Sequence, residues 1–69
     1  MQLTFPTGSN VALAGANGVS LRYEVRKQPD GEWHLFIDED EKQTQARFGN
    51  VRDAKAYARQ HFYNRQKTQ

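Results

Sequence analysis

Hydrophobic and polar positions alternate most regularly over residues 19–27, where Val19, Leu21, Tyr23 and Val25 fall on one side and Ser20, Arg22, Glu24 and Arg26 on the other. A period of two predicts a half-buried strand. Gln28, Pro29, Asp30 and Gly31 supply turn chemistry, so a hairpin is expected. Residues 32–38 then set Trp33, Leu35 and Ile37 against His34 and Phe36, a strand apolar on nearly every position, with Trp33 directed to the core. A third strand over 43–48 directs Thr44, Ala46 and Phe48 inward and Gln45 and Arg47 outward. From Val51 the period changes. Val51, Ala54, Ala58 and Phe62 recur at helical spacing, behind Asn50 as N-cap and with Asp53 in the first turn. Tyr57 and His61 border this stripe.

These elements predict an α+β domain, a three-stranded antiparallel sheet packed against one C-terminal helix in the order β-β-β-α. Residues 19–66 form that module, 67–69 a tail, and 1–18 a weakly structured segment punctuated by Pro6, Gly8, Gly15 and Gly18. Within the segment, residues 3–5 are expected as a short edge strand and 11–16 as one or two helical turns ended by Asn17 and Gly18. Leu21, Tyr23, Trp33 and Phe62 are expected to share one core.

A chain of 69 residues supports one domain with a modest core. It holds no cysteine and two histidines, which excludes disulfides and thiolate chemistry and leaves no metal site expected. No apolar run approaches the roughly 20 residues of a membrane span, and no secretory signal pattern opens the chain, so a soluble, cytoplasmic protein without membrane partners is expected. His34 and His61 are the natural general bases, yet no glycine-flanked serine or phosphate loop accompanies them. The expectation is no enzyme, cofactor or small-molecule substrate. Asp38, Glu39, Asp40 and Glu41 lack the glycine and distal glutamate of a calcium loop and are expected as a solvated hairpin tip.

Net charge is only +2, but it is unevenly placed: five Lys or Arg face one acid, Asp53, after residue 50. Arg52, Lys55 and Arg59 fall with Gln66 on one helix flank, uninterrupted by acid, and are the candidate phosphate contacts. The outer sheet face offers Arg22, Arg26 and Arg47 as further nucleic-acid-binding candidates, against Glu24, Glu32 and Asp38. His34 and Phe36, near its middle, are candidate partner-binding residues.

The series Val25, Arg26, Pro29, Gly31, Trp33, Ile37, Phe48, Asn50, Asp53 and Ala54 resembles the plant ethylene-response-factor DNA-binding domain. That resemblance implies a three-stranded sheet reading the major groove, with Arg26 keeping a contact-type residue. Gln28, Asp30, Phe36 and Asp38 stand where that pattern carries arginine, tryptophan, glutamate and arginine. Residues 50–55 resemble the opening of the last helix of double-stranded-RNA-binding domains, with Arg52 and Lys55 at the second and third basic positions of its K-K-x-A-K motif and Val51 at the first. The general layout is similar also to tyrosine-integrase arm-binding domains. The resulting expectation is a non-catalytic module that binds a nucleic-acid duplex, DNA or RNA. The competing one is a small adaptor or inhibitor docking a protein through the sheet face, the acidic tip or a sheet edge.

Overall fold

The structure is a computed structural model that describes residues 3–67. Its elements run β1 (Val11–Ala16), β2 (Val19–Lys27), β3 (Trp33–Glu39), β4 (Lys42–Phe48) and α1 (Val51–Lys67). The sheet is an antiparallel meander in chain order, β1-β2-β3-β4, with α1 across one face, and α1 lies mainly over β2 and β3.

The sheet therefore has four strands rather than three, and residues 11–16 form β1 rather than helical turns. Its alanines carry high helix propensity, but pairing overrides propensity here. Asn17 and Gly18, with φ of 52° and 80°, make the two-residue turn that folds β1 back on β2. Asn-Gly is the preferred sequence for a hairpin turn in which both central residues take positive φ. Residues 3–5 do not form a strand. β1 already occupies that sheet edge, so Leu3 instead enters the core at 4% exposure, and a turn from Pro6 to Ser9 leads into β1. Of the tail expected at 67–69, Lys67 ends the helix and the other two positions lie outside the described residues.

The remaining elements follow the pattern. Gly31, at φ 90°, and the Asp30 carboxylate, which accepts from the Glu32 N–H at 3.0 Å, close the β2–β3 turn. Asn50 caps α1 by accepting from the Asp53 N–H at 2.8 Å, and its side-chain amide donates back to the Asp53 carboxylate at 3.2 Å. Ala54 and Ala58 are fully buried, so the helix axis approaches the sheet closely, and Phe62 fills the space beside Leu21, Tyr23, Leu35 and Ile37. Trp33 lies at the rim of that core, half-buried against it, because β3 starts beyond the helix-covered centre. Thr44, expected inward, is exposed, since β4 is an edge strand that the helix only partly overlies.

Candidate interaction surface on the open sheet face

The face of the sheet opposite α1 is uncovered among the described residues, and strand register orders its side chains in rows. Arg26, His34 and Arg47 stand side by side across β2, β3 and β4. The next row is Glu24, Phe36 and Gln45, followed by Arg22, Asp38 and Gln43. Acids and bases are interleaved within and between these rows, and they pair. Arg22 reaches Glu24 at 3.0 Å and Asp38 at 3.6 Å, Arg26 reaches Glu24 at 2.9 Å, and Arg47 lies 3.8 Å from Glu32. Hydrogen bonds from Arg26, and secondarily Arg22, hold the Glu24 carboxyl below the usual carboxylate range.

Phe36 sits among these groups. The Arg26 guanidinium lies 5.8 Å from its ring centroid and the His34 ring 6.4 Å away. The Gln45 amide donates to His34 Nδ1 at 2.8 Å, which leaves the ring proton on Nε2. That Nε2 is shielded from solvent without a hydrogen-bond partner, and Glu32 Oε1, shielded likewise, faces the Arg47 guanidinium at 3.8 Å. Beside β2, Leu13 of β1 projects from the same face with 74% of its surface exposed.

The second predicted set, Arg52, Lys55 and Arg59, lies on the helix and so on the other layer. The two sets are not brought together. Arg52 is 88% exposed at its side chain and 4.0 Å from Asp53. Arg59 is exposed. Lys55 is engaged within the fold: its ammonium donates to the Ser9 carbonyl at 3.4 Å and lies 5.1 Å from the Phe5 ring centroid. The amine that completes the basic row on paper tethers the N-terminal segment instead.

A polar cluster that the sequence reading did not assemble joins the sheet to the C-terminal half of α1. Tyr23, buried, donates its hydroxyl proton to His61 Nδ1 at 2.8 Å, and His61 Nε2 faces Glu39 at 3.6 Å. Arg65 grips Glu39 with two bonds of 2.6 and 2.9 Å, while its carbonyl accepts from the Asn17 side chain at 2.6 Å. Glu39 is thereby drawn out of the solvated tip in which the sequence placed it. Burial pushes the Tyr23 hydroxyl up to about 12 and pushes His61 down from its ordinary value, and the Arg65 bonds hold Glu39 down. A neutral imidazole between a protonated phenol and a paired carboxylate ties the sheet to α1. The readable signals were the helical i,i+4 spacing of His61 and Arg65 next to the apolar stripe and the inward position of Tyr23.

The chain matches no protein-family model, no curated protein and no solved structure. Among the described residues no helix is long and apolar enough to cross a membrane.

Proposed function

We propose that the chain is a non-catalytic interaction module whose open sheet face docks another protein around Phe36 and His34. The observation that carries this reading is the neutralisation of that face from within: Arg22, Arg26 and Arg47 each lie against an acid at 3.0, 2.9 and 3.8 Å. A phosphate backbone rewards uncompensated positive charge, because affinity comes from releasing its counterions. A protein partner rewards an aromatic anchor ringed by paired polar groups. Phe36, flanked by Arg26, Glu24 and His34, is that anchor.

The test is selection of a displayed random-peptide library on the immobilised domain. Binders are expected to lose about 2 kcal/mol, roughly 30-fold in Kd, on Phe36→Ala and to be unaffected by Arg59→Gln. Binders that ignore Phe36→Ala would overturn the sheet-face reading.

Duplex nucleic acid, DNA or RNA, is the second reading, favoured by Arg52 and Arg59, which are exposed and two helical turns apart on one flank. With Lys55 held by Ser9, that flank offers two phosphate contacts, and the log of the duplex binding constant is expected to fall against log salt with a slope of about −2. Such a slope, abolished by Arg52→Gln with Arg59→Gln, would replace the protein reading with this one.

A further inference from the structure

β1 is an edge strand, and its free side is unusually well defined. The Asn10 carbonyl accepts from the Val25 N–H at 2.8 Å, so Asn10 turns its backbone toward β2. Val11 turns the other way: its N–H and C=O both meet the Ser9 hydroxyl, at 3.2 and 3.3 Å. Backbone direction alternates along a strand, so Leu13 and Gly15 also direct their N–H and C=O away from β2. Among the described residues nothing hydrogen-bonds those groups.

Natural sheets protect such an edge with charge, proline or a bulge. β4, the opposite edge, carries Lys42 and Arg47. The six residues of β1, VALAGA, carry no charge and no proline, and their pairing with β2 runs without interruption from Val11 to Ala16.

The order of side chains in β1 is complementary to itself. When two copies of β1 run antiparallel with Leu13 of one opposite Leu13 of the other, Val11 of each copy faces Gly15 of the other. Every residue with outward backbone groups then meets another such residue. The large side chain meets the absent one on the open face, and Ala12 meets Ala14 on the inner face. The two Leu13 side chains, each 74% exposed in the single chain, cover one another.

We infer that the chain forms a two-fold symmetric dimer through β1, joining two four-stranded sheets into one continuous sheet of eight. The dyad is normal to the sheet, so both Phe36 surfaces lie on one side and both helices on the other. The Leu13 pair makes two backbone hydrogen bonds, and each flanking Val11–Gly15 pair adds two more when Ser9 releases Val11. This inference does not depend on what the sheet face binds.

The register is testable because the chain has no cysteine. A hydrogen-bonded antiparallel pair has its Cα atoms about 5.5 Å apart, inside the disulfide range of about 4.4–6.8 Å. Leu13→Cys is expected to cross-link between copies in a glutathione redox buffer. Val11→Cys is expected not to, since four positions of strand put the two Val11 sites about 13 Å apart. In sedimentation equilibrium the full chain is expected to rise with concentration from 8.0 kDa toward twice that mass. Leu13→Lys, and independently Gly15→Pro, which removes an outward N–H without touching the β1–β2 ladder, are expected to hold it at 8.0 kDa with an unchanged far-ultraviolet circular dichroism spectrum. A chain that stays at 8.0 kDa at every concentration would overturn the dimer, and equal cross-linking by both cysteine variants would overturn the register.

Discussion

The two faces of the sheet are built from the same strands and alternate residue by residue, yet they are held together differently. The covered face is continuous apolar surface, with Leu21, Tyr23, Leu35 and Ile37 under Ala54, Ala58 and Phe62, all at 2% exposure or less. The open face holds its side chains by pairing charges across strands, with Phe36 as its aromatic centre. Burial removes area from water and scales with that area, whereas ion pairs at a wet surface contribute about 0–1 kcal/mol each. The covered face should carry most of the stability. Two phenylalanines make the contrast measurable.

The largest expected effect is on the covered side. Phe62 is 1% exposed and bridges α1 to the sheet. Phe62→Ala is expected to cost about 3–5 kcal/mol, read from urea denaturation midpoints at constant m-value. A loss below about 1 kcal/mol would mean that the helix does not take its stability from this contact.

An intermediate effect belongs to the Tyr23–His61–Glu39–Arg65 cluster, which reaches the covered side. His61 has its folded-state pKa below the usual 6.5, so its contribution is complete above that value and is lost as pH falls through the lowered one. Glu39 acts in the same direction further down, below its ordinary 4.5, because Arg65 holds its carboxyl ionised. Tyr23 has the opposite sign: its contribution is complete below 10.0 and is lost as pH climbs toward about 12. Denaturation midpoints are expected to fall on acidification from neutral pH and again in strong alkali. His61→Gln should flatten the first step, and a midpoint independent of pH between 7 and 5 in the unaltered protein would contradict the buried, neutral imidazole.

The smallest effect should be on the open face. Phe36→Ala leaves the core intact and is expected to cost less than about 1 kcal/mol, a fraction of the Phe62→Ala loss in the same denaturation assay. Comparable losses at the two positions would erase the distinction between the faces and show that something covers the sheet on both sides.

Much of this architecture was legible in the chain. The period of two in β2 and β3 directs Phe36 outward and Leu35 inward whatever the partner, and the 3.6-residue stripe with its Asn50 cap places α1 and selects Ala54, Ala58 and Phe62 for burial. The Asn17–Gly18 dipeptide itself favours the two positive φ values of a hairpin turn, but the same pair also reads as the end of helical turns, and only the pairing of β1 with β2 separates the two. Local patterns of this kind act within a few residues, and a sequence states them outright.

What no local pattern holds is who meets whom across the fold. Lys55 reads as one of three phosphate contacts until the N-terminal segment folds back and its ammonium finds the Ser9 carbonyl, 46 positions away in sequence. Glu39 reads as part of a solvated tip until Arg65, 26 positions later, reaches it from the helix. Leu3 has no apolar periodicity around it, yet it is buried because β1 takes the sheet edge and leaves space beside α1 for one more side chain. The sequence by itself determined β2, β3 and α1 and the faces their side chains take, because dihedral preference and period are local, whereas β1 and the exposure of Thr44 depended on strand pairing and on where the helix lies. Only the tertiary structure decided which charges are paired within the fold and which stay exposed, since that depends on distances between residues far apart in the chain.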